Sequence, residues 1–322
     1  MIIREICILG GTGFVGKTLA NRLTQMGIKL RILTRNREYH KDKLLLLPTV
    51  DLIQADIHDP QTLVAQFSGC DAVINLVGIL NERGRDGSGF HYVHVELAEK
   101  VIAACSKNGV KRLLHMSALN ADPKKGTSYY LKSKGAAENL VHLAAKQGLH
   151  VTSYRPSVIF GPDDSFFNRF ARLLKMTPFI FPLACPKSRF APVYVGDVAD
   201  AFVKTLSDPN SYGQRYDLCG PETYTLQELV SYTASCLGIT RHIIPLGDLV
   251  SRIQAALFDF VPGKPFSTDN YLSAKLDSIC EKNDLSKLGI TPMTIKAIVP
   301  QYLANKKQRA RYYQFRRHLS GK

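Results

Sequence analysis

No segment of this chain approaches the ~18–20 uninterrupted apolar residues of a membrane-spanning helix; the longest apolar stretches, residues 44–47 and 179–185, are short and bounded or interrupted by prolines. A bilayer-crossing helix is therefore not expected. No C-x-x-C pair occurs among the seven cysteines, at 7, 70, 105, 185, 219, 236 and 280, and none stands at metal-like spacing from histidine. This excludes a sequence-encoded metal or dithiol site, and the expectation is reduced, mostly buried thiols. Nothing before the first apolar run leaves room for a signal or transit segment, so a cytoplasmic location is expected, with peripheral membrane contact its one extension. No internal repeat or low-complexity tract appears.

Acidic residues are missing altogether from residues 306–322. That stretch holds seven lysines and arginines (306, 307, 309, 311, 316, 317 and 322) interleaved with Tyr312, Tyr313 and Phe315, in a chain of net charge +15. A tail of this kind suits an anionic partner, either a lipid surface or an acidic protein. Near anionic lipid each basic residue contributes on the order of 1 kcal/mol, and aromatic rings favour the interface. The plain alternative is a solvated terminus. No nucleic-acid-binding motif accompanies the charge, and no nucleic acid is expected.

The 322 residues suffice for two domains or one elaborated one. The chain opens with a short apolar run that breaks into three spaced glycines, Gly10, Gly13 and Gly16, before Phe14, Val15, Leu19 and Leu23 resume at helical spacing. A strand, a glycine turn and a helix in this order begin a dinucleotide-binding βαβ unit. Gly10 takes the tight turn, Gly13 lets a pyrophosphate approach the main chain, and Gly16 lets the helix pack close on the strand. Phosphates would face the free N–H groups of that helix.

Short apolar runs at 6–9, 30–34, 50–54, 72–76, 112–117 and 150–154 alternate with helix-spaced stretches at 14–26, 60–68, 91–107 and 127–147. The alternation predicts an α/β fold with a doubly wound parallel sheet. After Pro156 the regularity fades, which divides the chain into a nucleotide-binding domain over 1–155, a smaller α/β lobe over 156–305 and the basic tail over 306–322. Some of the second part, 194–206 in particular, is expected to return to the core. Leu246, Leu249, Val250, Ile253, Leu257 and Phe260 mark one face of a helix; that face packs on the second lobe, covers a substrate mouth or touches a membrane.

The second strand ends in Thr34-Arg35-Asn36-Arg37, with no carboxylate where NAD would want one for its ribose 2′-hydroxyl. Arg35 and Arg37 suit a 2′-phosphate, so NADP(H) is favoured over NAD(H). Stacking of Arg35 on the adenine would admit either cofactor. Asp56 and Ile57, after the third strand, are placed to meet the adenine ring; Leu76, Val77 and Gly78, after the fourth, would lie along the central ribose and phosphates.

Tyr130 and Lys134 form a Y-x-x-x-K pair on one helix face, and the lysine charge is expected to lower the phenol's pKa from ~10 toward working pH. A tyrosine so tuned exchanges the proton that accompanies hydride transfer at a carbonyl or alcohol. Three other pairs share the spacing, Tyr39/Lys43, Tyr271/Lys275 and Tyr302/Lys306. Only Tyr130 follows the fifth strand, with Ser117 at that strand's end placed to bond a substrate oxygen.

Taken in order, Gly10-Gly-Thr-Gly-Phe-Val-Gly16, Asp56-Ile57, Ser117, Tyr130-x3-Lys134, Arg155-Pro-Ser-Val-Ile-Phe-Gly-Pro162, Pro192-Val-Tyr-Val-Gly-Asp197 and Tyr216-Asp-Leu-Cys-Gly-Pro221 resemble the extended short-chain dehydrogenase/reductases over nearly the whole chain. His94-Val-Glu-Leu-Ala-Glu99 and His115-Met-Ser-Ala-Leu-Asn120 look like an atypical branch, one that includes the nucleotide-binding accessory subunit of respiratory complex I and its bacterial relatives. The resemblance implies a Rossmann-type domain holding NADP(H), with Pro156 beside the cofactor and a C-terminal lobe over the nicotinamide. One departure stands out: His94 occupies the position where extended members usually carry asparagine. Three functions follow from it. The first is an oxidoreductase acting on a small or apolar carbonyl compound. The second is a cofactor-holding protein supporting a membrane-associated assembly. The third is a nucleotide-sugar epimerase or dehydratase, for which the apolar clusters Phe166-Phe167 and Phe179-Ile180-Phe181 offer little polarity.

Overall fold

The computed structural model describes residues 1–44 and 46–304. Through residue 156, strands β1 (Glu5–Leu9), β2 (Lys29–Thr34), β3 (Val50–Gln54), β4 (Ala72–Asn75), β5 (Arg112–Met116) and β6 (His150–Pro156) alternate with helices α1 (Phe14–Gln25), α2 (Arg37–Leu44), α3 (Pro60–Phe67), α4 (Ser88–Phe90), α5 (Leu97–Asn108) and α6 (Tyr129–Leu143). Beyond them come β7 (Ile159–Phe160), α7 (Phe167–Met176), β8 (Ile180–Leu183), β9 (Arg189–Phe190), β10 (Val193–Tyr194), α8 (Val195–Thr205), β11 (Arg215–Leu218), β12 (Tyr224–Thr225), α9 (Leu226–Leu237), β13 (His242–Pro245), α10 (Asp248–Phe258), α11 (Thr268–Ala274) and α12 (Ile295–Leu303).

Seven strands form one parallel sheet in the order β11-β6-β5-β4-β1-β2-β3. After β3 the chain crosses back over β1 to place β4 on its other side. This reversal leaves a crevice beyond the carboxyl ends of β1 and β4, where ligands bind in doubly wound sheets. The strands read as continuous apolar runs because both faces are covered. Ile6, Ile8 and Ile32 pack against Leu19 and Leu23 of α1 and Val198 and Phe202 of α8. Cys7, Leu9 and Val73 point the other way, onto α3, α5 and α6 through Phe67, Val101 and Val141.

The second half enters the sheet domain twice, since α8 packs on α1 and β11 adds the outermost strand beside β6. Arg112 fastens this return: fully buried in β5, it donates to the Thr205 and Leu206 carbonyls at the end of α8, to His150 O and to Ser211 Oγ. A cation placed there also complements the helix's negative end. A separate core joins α7, α9 and α12 through Phe160, Phe167, Leu229 and Val299.

Three features depart from expectation. Residues 37–44 form α2, although among its described side chains only Leu44 is buried in the core and no apolar periodicity announces it. The helix expected over 91–107 starts earlier, at α4, and passes through a π-helical turn, His91–Glu96. The cysteines are not all thiols, because Cys219 is bonded to Cys280. Packing of 283 beside β11 brings the two together: Asn283 bonds both the amide and the carbonyl of Cys219. The free cysteines Cys7, Cys70 and Cys105 are buried. Among the described residues no helix is long and apolar enough to cross a membrane. The basic tail lies outside the described residues.

Candidate active site

At the carboxyl end of β1 the glycine turn is fixed by sterics. Gly10 has φ +76°, a left-handed conformation, and a Cβ there would come within 3.1 Å of the Leu76 carbonyl carbon. At Gly16 a Cβ would lie 2.5 Å from Gly10 O, so α1 crosses the turn closer than any side chain permits. Gly13 differs, since a Cβ there would meet only Gly10 O, at 3.2 Å. Gly13 also begins α1 with no side-chain cap and no acid in the first turn, leaving first-turn amides without a side-chain acceptor. Phe14 turns its ring toward Gly161, and Val15 packs on the core beside α8. A cradle of bare amides at the positive end of a helix fits a diphosphate.

Arg35 stands exposed past the end of β2, whereas the Arg37 guanidinium is occupied by the Leu52 carbonyl at 2.9 Å. Asp56 accepts the His58 amide, and Ile57 is half-buried beside it. Leu76, Val77 and Gly78 leave the end of β4 over the crevice. A Cβ at Gly78 would come within 2.9 Å of Lys134 Nζ, so the loop passes close over that ammonium. Pro156, at the end of β6, is buried and accepts the Leu119 amide.

Helix α6 brings Tyr130, Lys134 and Glu138 onto one face at four-residue spacing. Lys134 Nζ donates to Val77 O (3.1 Å) and Met116 O (3.0 Å), bridging the ends of β4 and β5 with one N–H left over. Burial lowers its pKa to about 8. The expected lowering of the Tyr130 pKa by Lys134 is not found. Burial, followed by the nearby Asp269 carboxylate, raises this phenol to about 12. Ser117 also departs from expectation: its hydroxyl donates at 2.6 Å to buried Glu138, which in turn pairs with Arg155 and Arg215. In this structure the single hydroxyl proton is directed to Glu138.

His94 is carried inward by the π-helical turn. Its Nε2 accepts the Ile79 amide at 3.1 Å, which places the ring proton on Nδ1, donated to Ser133 Oγ at 2.8 Å. Ser133 Oγ passes its own proton to the Tyr130 carbonyl at 2.9 Å. Burial, then the Lys134 charge, lowers the His94 pKa to about 2 and keeps the ring neutral. Its rigid bond to a backbone amide makes it a brace for the loop after β4.

The opposite wall comes from far along the chain. Asp269 accepts the Tyr129 and Tyr130 amides at 2.7 and 3.3 Å, capping α6 from α11. Lys264 donates to Glu82 O and Gly84 O, and Ser267 and Asn270 bond Asn81 and the Leu80 carbonyl. This strap encloses a cavity of about 60 Å³ lined in part by Phe90, Tyr129 and Leu272. The Tyr130 ring meets Phe90 and His94 edge-on, with centroids 6.1 and 5.8 Å away. The phenylalanine clusters of the second lobe do not line this site: Phe166, Phe167 and Phe181 pack in that lobe's own core, while Phe179 and Ile180 face solvent.

A glycine cradle at the switch point of a doubly wound sheet, with a tyrosine and lysine beside the next two strands, defines a dinucleotide-binding α/β protein. The profile of the NAD dependent epimerase/dehydratase family matches residues 6–219, and the chain belongs to that family. It is 30% identical over 305 residues to the mitochondrial NADH dehydrogenase [ubiquinone] 1 alpha subcomplex subunit 9 of Mus musculus, covering 90% of this chain and 78% of that protein. It is 28% identical over 254 residues to the ceramide reductase of Caulobacter vibrioides, covering 79% of this chain and 77% of the reductase. Among solved structures, the UDP-glucose 4-epimerase of Thermus thermophilus in complex with NAD superposes with a TM-score of 0.64 at 19% identity, over 84% of this chain and 99% of the epimerase.

Proposed function

We propose that the protein is an NADP(H)-dependent reductase of an apolar carbonyl compound, with Tyr130 as the proton donor. The observation that carries this reading is the half-buried phenol of Tyr130, raised to about 12 and set against the Phe90 and His94 rings. A phenol of that pKa holds its proton at neutral pH and gives it up only to a stronger base, such as the alkoxide that forms when a carbonyl is reduced. The bound dinucleotide would supply hydride. Gly10, Gly13 and Gly16, with the amides of Phe14 and Val15, would hold its diphosphate, and Leu76, Val77 and Gly78 would line its central part. Arg35, whose guanidinium is freer than that of Arg37, would take a 2′-phosphate, with Asp56 and Ile57 by the adenine and Pro156 at the far end. Lys134 would offer its remaining N–H to the cofactor's ribose and keep positive charge beside the forming alkoxide. Ser117 acts one step back, fixing Glu138 and through it the end of β6. The kinship with a ceramide reductase supports an apolar substrate.

A second reading has its own support. His94 and Ser117 are both locked to internal partners, as suits a cofactor that fixes the fold and does not turn over, in a protein serving a membrane-associated assembly with residues 306–322 as a contact. The kinship with a complex I subunit favours it. One experiment separates the two. The small molecule released on denaturation is identified by mass and absorbance, and the intact protein is then challenged with apolar ketones, wild type beside Tyr130→Phe. The reductase reading expects NADP(H) to be released and turnover to fall about 10²–10⁴-fold in the variant with cofactor retained. Bound NADPH that no carbonyl oxidises, in either protein, would leave the holding role.

A further inference from the structure

Helix α10 is built inside out. At 3.6 residues per turn, Leu249, Val250, Ile253 and Leu257 fall on one side, with Phe260 continuing the stripe just past the helix end. This side faces water, its five side chains between 50 and 73% exposed. The side packed on the protein carries the small residues Ser251 and Ala255, both buried, together with half-buried Phe258, and Ser251 Oγ accepts the Cys185 amide. An amphipathic helix normally buries its large residues and shows its small or polar ones. Here five large apolar side chains face water, and an apolar stripe of this length on a protein surface marks a contact site.

The charge around the stripe indicates what covers it. Arg252 is exposed on the flank of α10, and the Arg85 guanidinium carbon sits 3.8 Å from the centroid of the Phe260 ring, with Arg83 exposed on the same loop. Of the acids nearby, Asp248 has a cationic partner, while Asp86, next to Arg85, accepts from Ser88. Asp248 pairs with Lys275 and Tyr271, and Asp259 accepts from Thr268. An apolar stripe rimmed by unmatched cations is complementary to a surface with acyl chains beneath anionic headgroups. A second copy of this chain would bring Arg83, Arg85 and Arg252 of both copies together against fewer carboxylates, Asp86 and Asp259, so that like charge predominates and repels.

We propose that α10 and Phe260 form a lipid-inserting face that seats the protein on an anionic bilayer surface, separate from any contact made by residues 306–322. The proposal does not depend on turnover, and its test uses none. Binding of the full chain to phosphatidylcholine vesicles, with and without phosphatidylglycerol, is measured by co-sedimentation for three proteins: wild type, the triple variant Leu249→Ser/Ile253→Ser/Leu257→Ser, and the chain ended at residue 304. Cofactor binding and the thermal midpoint check folding, which substitution of solvent-facing side chains should leave intact. The expected result is wild-type binding that requires phosphatidylglycerol and weakens at least about tenfold in the triple variant, while the shortened chain keeps a measurable, salt-sensitive share. A second variant, Arg85→Gln/Arg252→Gln, should lose mainly the preference for phosphatidylglycerol. Unaltered binding by the triple variant, binding lost only with the tail, or a dimer that the serine substitutions dissolve without any vesicle binding would each overturn it.

Discussion

The two ends of the cofactor crevice are made by different means. At the proposed phosphate end the groups lie within residues 10–16 and against the Leu76 backbone and are themselves backbone: one left-handed glycine, two close approaches and a helix start without a cap. At the tyrosine end the working groups are side chains drawn from the π-helical turn, α6 and α11, braced on carbonyls at the ends of β4 and β5, with Asp269 standing 139 residues beyond Tyr130. The first end is a local solution to binding charge, and the second is a tertiary solution to holding a proton. It follows that the first should fail by steric insult and the second by changes in charge.

The largest effect is expected from Gly16→Val. With Gly10 O only 2.5 Å from a Cβ at this site, α1 must move away from the turn and carry its first amides with it. Overpacking of this kind costs on the order of 3 kcal/mol, and cofactor affinity should fall about 100-fold or more. Calorimetric titration of NADP(H) and a urea midpoint measure both, and near wild-type affinity in the variant would show that the turn does not hold the diphosphate.

Acid should distinguish the tyrosine end next. His94 and His115 are buried with pKa values lowered to about 2 and about 3. Below ~6.5 the unfolded chain takes up protons that these rings refuse in the folded state. Stability is therefore full above ~6.5 and is lost as pH falls, by about 1.4 kcal/mol per pH unit for each ring. Asp197 opposes this, because burial raises it to about 6 and the folded state gains its proton first on the way down to ~3.8. His142, lowered to about 4 by burial, adds a third ring, so the net slope between pH 6 and 4 should be close to that of two histidines, stability falling with pH. Denaturant unfolding at pH 7, 6 and 5 measures it, and His94→Asn should flatten it; a flat wild-type profile would mean that these rings are charged or open to water.

This contrast also explains what the sequence made legible. The glycine turn, six sheet strands and the family resemblance were all readable because each is carried by contiguous residues or by a period of apolar positions. The positions of Tyr130 and Lys134 on one helix face were readable for the same reason. Their electrostatics were not. The phenol's pKa depends on its burial and on Asp269, neither of which leaves a trace in local spacing. His94 drew notice as a departure, but its role depends on a π-helical turn that rotates it inward, and nothing in residues 91–96 announces an extra residue per turn. The Cys219–Cys280 bond was missed because its partners are 61 residues apart and meet only after β11 has joined the sheet. The helix over 246–260 was readable as amphipathic, yet pattern alone could not say which side faces the protein.

The smallest and most specific effect is expected from Asp269→Asn. The variant keeps an oxygen to accept one of the two α6 amides and removes the negative charge from the helix start, at a cost of about 0.3–1 kcal/mol. Asp269 is the second cause, after burial, of the raised Tyr130 pKa, so neutralising it should lower that pKa by a fraction of a unit. The alkaline limb of the pH–rate profile would then move toward lower pH while the acid limb and cofactor affinity stay in place, because the phosphate end lies across the crevice and makes no use of α11. An alkaline limb that does not move would separate Asp269 from the proton chemistry and leave it as a helix cap; a shift accompanied by weaker cofactor binding would show that the two ends of the crevice are coupled through α6, against the division drawn from their construction.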